Sequence, residues 1–200
     1  VLVGAGCLLP VLVARGEWAE LRRHWRALLV LSALNAALPF PLFAYATAHL
    51  SAGFASILNA TAPLFAAVVA AVWLRDRLRP VAIAGLAIGF AGVVVLAGDV
   101  PAFGPGAGLA IGAALLASLC YGISASFAKR NLAGVSPWVT TTGGFGLAAP
   151  LLAPVAAFTW PAAWPGAGAW LAVVLLAIAC TSIPNIAYFR LLQRAGPTRA

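Results

Sequence analysis

Residues 27–74 read ALLVLSALNAALPFPLFAYATAHLSAGFASILNATAPLFAAVVAAVWL and contain no Asp, Glu, Lys or Arg. A helix needs about 20 apolar residues, at ~1.5 Å each, to cross roughly 30 Å of hydrocarbon. The run is therefore long enough for two crossings. It divides at His49-Leu50-Ser51-Ala52-Gly53 into Ala27–Ala48 and Ala52–Leu74. Strands of a membrane barrel alternate apolar and polar residues over about 10 positions. Ala62–Leu74 shows no such alternation and is rich in Ala and Val, so helix is the reading.

The same reading extends outward in both directions. Of 200 residues, 64% are hydrophobic and 8% charged, against about 25% charged in a soluble domain. So few charges cannot cover a water-facing surface, and so much apolar content excludes disorder. Further spans run over Val81–Gly98, Ala107–Ala128, Ser136–Phe158 and Gly168–Leu192, of which only the last holds a charge, Arg190 near its end. Val1–Ala14 is apolar but too short for a crossing. The expectation is an all-α polytopic membrane protein with six full transmembrane helices plus one partial one. The chain holds no Met, starts inside the apolar run Val1-Leu2-Val3 and stops just after a loop, and so reads as a fragment.

The charges give the orientation. All 12 basic residues fall in four clusters: Arg15 to Arg26, Arg75 to Arg79, Lys129-Arg130, and Arg190 to Arg199. These occupy alternate loops. The loops around Ser51-Ala52-Gly53, Asp99 to Gly106 and Thr159 to Gly166 hold none. Lys and Arg resist translocation, so the basic loops are expected in the cytoplasm. The net charge of +8 is then topology, and no nucleic-acid partner is implied. Trp18, Trp25, Trp73 and Trp138 lie at the basic ends, and Trp160, Trp164 and Trp170 at the other, as expected for indoles that prefer the headgroup layer. Richness in Ala, Gly and Arg points to a GC-rich bacterial genome and hence to a plasma or inner membrane.

The sequence also repeats itself. At an offset of 143, Pro41-Leu42-Phe43-Ala44-Tyr45 falls on Pro184-Asn185-Ile186-Ala187-Tyr188. Five helices separate the copies, so the second is inverted. The charges reverse accordingly. The loop before the first copy's span is basic (Arg22, Arg23, Arg26) and its counterpart before the second is neutral; the loops that follow show the opposite. The expected organisation is a first repeat over 1–98, an outer connecting loop over 99–106 and a second repeat over 107–200. Inverted repeats recur in transporters, with the solute held near the midplane between the halves.

Three stretches resemble a known family. They are Phe43-Ala44-Tyr45 followed by His49-Leu50-Ser51-Ala52-Gly53; Asn59-Ala60-Thr61-Ala62-Pro63-Leu64; and Trp73-Leu74-Arg75-Asp76-Arg77-Leu78 with Gly85 and Gly89-Phe90-Ala91-Gly92-Val93. Their order and spacing are similar to those of the drug/metabolite transporter superfamily, EamA-like family. That family usually has Leu-Gly-Glu-basic-Leu in the third stretch; here Arg75 replaces the Gly and Asp76 the Glu. The resemblance implies ten helices in two inverted five-helix units, with the first helix and the last two lying outside this chain. It implies a secondary transporter of a small organic metabolite, with export, of amino acids or related compounds, as the preferred direction.

Polar residues within spans are the candidates for a solute path. Ser32, Asn35 and Pro39 share one helix face, and Ser56, Asn59 and Pro63 repeat the spacing. Ser118 and Tyr121 share a face in the fourth span, with Ser124 nearby; Thr140, Thr141 and Thr142 open the fifth; Thr181, Asn185 and Tyr188 share a face in the sixth. The substrate-binding candidates are Asn35, Tyr45, Asn59, Tyr121, Asn185 and Tyr188. The alternative for each is a hydrogen bond that joins helices, worth ~0.6–2 kcal/mol. Prolines within spans kink helices and lack an N–H. Pro39, Pro41, Pro63 and Pro184 are the hinge or kink candidates, Pro41 and Pro184 foremost because the repeat makes them equivalent. Gly85/Gly89 and Gly108/Gly112 form G-x-x-x-G pairs, which serve internal packing or, alternatively, a homodimer face.

Glu17, Glu20, Asp76 and Asp99 all lie in or beside loops. A span without a carboxylate offers neither a carboxylate proton relay nor a counter-ion to a strongly cationic solute, which favours neutral or zwitterionic solutes. Cys7, Cys120 and Cys180 form no C-x-x-C, and His24 and His49 stand apart, so no metal site is expected. Nucleophile elbow and P-loop patterns are absent, so neither an enzyme nor a cofactor is implied. The competing classes are a non-transporting membrane scaffold or receptor and an intramembrane enzyme. The expected partners are the bilayer and a small-molecule solute.

Overall fold

The 27–74 run folds as two helical crossings, Trp25–His49 of 25 residues and Ala52–Trp73 of 22. Two more helices reach the length and apolarity of a span: Ala107–Asn131, of 25 residues, and Pro137–Phe158, of 22. This is a computed structural model, and it describes residues 2–75, 80–97, 106–159, 166–177, 179 and 183–195. Among these every regular element is helical. Asp76 to Arg79, the 99–105 part of the connecting loop, Trp160, Trp164, Cys180, Thr181 and Arg199 lie outside the described residues.

The elements in chain order are α1 (Leu2–Ala14), α2 (Trp18–Arg23), α3 (Trp25–Ser32), a π-helical turn (Ala33–Ala37), α4 (Pro39–His49), α5 (Ala52–Asn59), α6 (Ala62–Trp73), α7 (Pro80–Ala97), α8 (Ala107–Asn131), α9 (Pro137–Phe158), α10 (Ala167–Leu175) and α11 (Ile183–Ala195). Sequence chemistry sets their ends. Ser51 has extended backbone and its Oγ accepts the Phe54 N–H at 3.3 Å, which caps α5. Prolines stand at the starts of α6 and α9, where the missing N–H would have no helical partner anyway. In the region of the expected third crossing stands α7, an apolar helix of 18 residues, and in that of the expected sixth the shorter helices α10 and α11; among the described residues none of these three reaches the length and apolarity of a span.

α7 shows what kind of solvent surrounds the chain. Val81, Ile83, Ile88, Val94 and Val95 are all more than half exposed. An exposed apolar stripe of this length belongs in lipid, not in water. The chain is a multi-pass membrane protein.

The chain forms two compact units, each drawing on residues from both sides of the 99–106 loop. One comprises Val1–Ala37 and Asn131–Gly196, the other Leu38–Arg130 and Pro197–Ala200. In the first, α9 is the hub, packed by α1, α2, α3, the π-helical turn and α11. Small residues let α3 and α9 approach closely: a Cβ on Gly143 would lie 2.7 Å from Leu28 Cδ1. The Ser32 hydroxyl donates across this contact to the Gly144 carbonyl at 2.6 Å and shares its proton with Leu28 O at 2.8 Å.

In the second unit a core of Ala46, Leu50, Phe54, Leu58, Ala107, Ala110, Ile111 and Ala114 joins α4, α5 and α8. α6 meets α8 at Gly122, where a Cβ would stand 2.7 Å from the backbone nitrogen of Ala66. The α5–α6 crossing is broken at Ala60-Thr61. The Leu58 carbonyl at this break accepts from Thr61 Oγ1 at 2.6 Å and from Ser118 Oγ of α8 at 3.0 Å. Pro150 and Pro154, in contrast, sit inside α9 without interrupting it.

Tryptophans at helix ends carry arginines in both units. In the first, Arg15 and Arg190 both stack on Trp138, at 5.5 and 5.7 Å from the ring centroid. In the second, Arg130 lies over Trp73 at 5.9 Å. At the opposite end of the α8 helix, Gly106 lies against His49, where the neutral 49–53 loop begins.

Candidate functional site

Pro39 and Pro41 have no N–H to give the carbonyls of Asn35 and Ala37 one turn back. The backbone upstream of them widens into the π-helical turn Ala33–Ala37. The same thing happens 143 residues later. Leu176, Ala177 and Ala179 are π-helical, and Pro184 follows at the start of α11. π-helical turns are rare and concentrate at functional positions. The two turns stand at one offset, each upstream of a proline. Both turns belong to the first unit, and in it the Ala33–Ala37 turn and α11 both pack on α9.

The part of α9 that follows its first turn is buried and polar. Thr140, Thr141, Thr142, Gly143 and Gly144 are all buried. Thr140 Oγ1 donates to the Ser136 carbonyl at 3.1 Å, the usual way for a helical threonine to satisfy itself. Thr141 and Thr142 do not: their hydroxyls are fully buried and have no hydrogen-bond partner among the described residues. A buried hydroxyl without a partner costs about 1–3 kcal/mol, so each is a standing donor and acceptor for water or a solute. In the second unit Ser126 Oγ of α8 is in the same state.

The sequence candidates divide between the units. Asn35 lies half-buried in the first π-helical turn, and Asn185 and Tyr188 lie half-buried on α11; both elements pack on α9. Tyr188 packs edge-on against Phe189, centroids 5.4 Å apart. The second unit holds the others. Tyr121 of α8 is half-buried and stacks on Phe43 of α4 at 6.1 Å. Tyr45 is 40% exposed, with its ring 4.5 Å from that of His49. Asn59 ends α5 on an exposed face with Ser56 and Pro63. The structure thus gives the two matching triads different surroundings: Ser32 and Pro39 are buried, and Ser56 and Pro63 are exposed.

Thr141 and Thr142 stood in the sequence only as a polar start to the fifth span. The signal that separates them from Thr140 is structural, since the three are the same residue at consecutive positions. An open groove of ≈ 930 Å³ also lies in the first unit, lined by apolar residues of α1, α9 and α10 such as Leu2, Pro150, Ala153 and Trp170. It holds none of the candidates. Among the described residues no group of His, Cys, Asp or Glu is arranged to hold a metal.

No curated protein and no solved structure matches the chain. A family model does, over residues 1–98 and 108–200: that of the EamA-like transporter family.

Proposed function

The chain belongs to the EamA-like transporter family, and from that premise we infer that it carries a small organic solute across a bacterial plasma membrane by alternating access. Membership makes it a membrane-embedded secondary transporter, not an enzyme. The finer reading is that two inverted repeats, 1–98 and 107–200, rock about a shared site, with solute binding energy biasing inward- and outward-open states. The observation that carries it is the pair of π-helical turns, Ala33–Ala37 and the one at Leu176–Ala177 and Ala179, 143 residues apart. Broken helices at repeat-related positions are where transporters hold their solutes. The family match on either side of the connecting loop supports the duplication.

Within the first unit this reading draws on Asn35, Asn185, Tyr188 and the Thr141 and Thr142 hydroxyls; Tyr45, Asn59 and Tyr121, in the second unit, are solute-binding candidates in their own right. All are neutral hydrogen-bonding groups. Among the described residues the acids are Glu17 and Glu20, both outside the long spans. The solute is therefore neutral or zwitterionic, and its movement needs no proton relay through a membrane carboxylate. The basic ends gathered at Trp138 and Trp73 support a cytoplasmic location for the four basic clusters.

A solute-panel thermal-shift screen on the purified protein, followed by flux of the hits in proteoliposomes, tests the reading. A true solute stabilises the wild type and stabilises Asn185→Ala and Thr142→Val less, while both variants still insert. Its flux persists without an imposed pH gradient. An unaltered shift in both variants, or flux strictly dependent on a pH gradient, overturns the assignment of the site.

A further inference from the structure

We propose that the Arg15–Trp138–Arg190 cluster of the first unit is a binding site for the phosphate of an anionic phospholipid. Three helices bring it together: Arg15 follows the end of α1, Trp138 is the second residue of α9, and Arg190 belongs to α11. Both guanidinium groups lie against one indole, at 5.5 and 5.7 Å. Stacking on an aromatic face fixes a guanidinium but uses none of its N–H donors.

The charge of the cluster is incompletely balanced. Among the described residues Glu17 is its one acid, and both of its oxygens are engaged. Oε1 accepts from Arg15 Nε at 2.8 Å, and Oε2 accepts from Ser136 Oγ at 2.8 Å. Two guanidinium groups against one carboxylate leave a net positive charge. The start of α9 adds to it. Ser136 spends its hydroxyl on Glu17 and makes no side-chain cap, so the first-turn N–H groups keep their partial positive charge. The Arg15 side chain is 50% exposed, and Arg190 is exposed. Their remaining N–H forks match a phosphate in geometry as well as in sign.

The surroundings select a lipid over a soluble anion. Leu191, beside Arg190 in the chain, is an exposed large apolar residue, and Trp138 opens a helix long enough to cross the bilayer. An indole at the end of a span marks the depth of the headgroups. A phosphodiester held there extends its acyl chains along the exposed apolar surface, which a free anion cannot do. Clustered arginines at the basic end of a membrane protein add attraction for anionic headgroups.

The test uses the intact protein purified in a neutral detergent and titrated separately with phosphatidylglycerol and phosphatidylcholine, with bound lipid counted by native mass spectrometry. Phosphatidylglycerol is expected to bind more tightly. Arg190→Gln is expected to weaken it about fivefold and to leave phosphatidylcholine binding unchanged, with Arg190→Lys in between. Soluble glycerol 3-phosphate is expected neither to bind at the lipid's concentrations nor to displace the lipid. Equal binding of the two lipids by the wild type overturns the proposal even if the variants do not purify. So does an unchanged lipid preference in Arg190→Gln, or a glycerol 3-phosphate effect that matches the lipid's. None of these outcomes bears on the solute screen, which reads a different set of residues.

Discussion

Arg75 has a backbone φ of 56°, the one positive φ outside glycine among the described residues. It follows Leu74, the C-cap of α6, in the position where helices commonly end on a left-handed glycine. A side chain there costs roughly 1–2 kcal/mol. The family motif noted in the sequence has Gly at this place, and the conformation supplies the physical reason. Arg75→Gly is therefore expected to raise the unfolding free energy by ~1 kcal/mol, read as a higher Tm in detergent; a lower Tm contradicts the strain. Gly122 makes the opposite case. Its Cβ would stand 2.7 Å from Ala66 N and 2.8 Å from the Phe65 carbonyl carbon. These are backbone atoms that cannot rotate away. Gly122→Ala is expected to destabilise by about 1–3 kcal/mol. Gly112→Ala in the same helix, with nothing within 4 Å, is expected to be neutral or to stabilise by up to ~1 kcal/mol. Equal effects at the two sites would remove the close α6–α8 contact from the account.

At the scale of elements, the ends of the spans were legible in the sequence because charge, proline and glycine punctuate an otherwise uniform apolar chain. Ala52–Leu74 and Ser136–Phe158 agree with the helical spans Ala52–Trp73 and Pro137–Phe158 to within a residue. The π-helical turns were not legible. A π turn keeps its backbone hydrogen bonds and needs no special residue, so only the prolines downstream marked the place. Helix packing was hidden for a related reason. G-x-x-x-G spacing singled out Gly85, Gly89, Gly108 and Gly112, yet among these only Gly89 meets a neighbour within 4 Å, the side chain of Leu64. Spacing shows that two residues share a face, whereas the helix lying against that face is decided by tertiary structure. For the same reason Ser56, Asn59 and Pro63 share a face as expected, but an exposed one. If the repeat-related breaks act as hinges, Pro41→Ala and Pro184→Ala are expected to slow solute flux alike. A hinge contribution of about 1.4 kcal/mol to the barrier is a tenfold loss for each. The check is flux per inserted protein in proteoliposomes, and a loss confined to one proline argues against paired hinges.

For the whole molecule, the central proposal is an inverted repeat whose basic loops all face the cytoplasm. Arg15 and Arg190 meet at Trp138, and Arg130 meets Trp73, so within each unit separate basic segments share an end. His49 and Gly106, which border neutral loops, share the other end of the second unit. The most direct test is cysteine labelling from outside intact cells, on a background without Cys7, Cys120 and Cys180. Lys129→Cys and Arg22→Cys are expected to react with an impermeant maleimide only after permeabilisation, and Gly53→Cys and Trp164→Cys to react before it. Labelling of positions 129 and 164 from the same side would contradict the inverted arrangement.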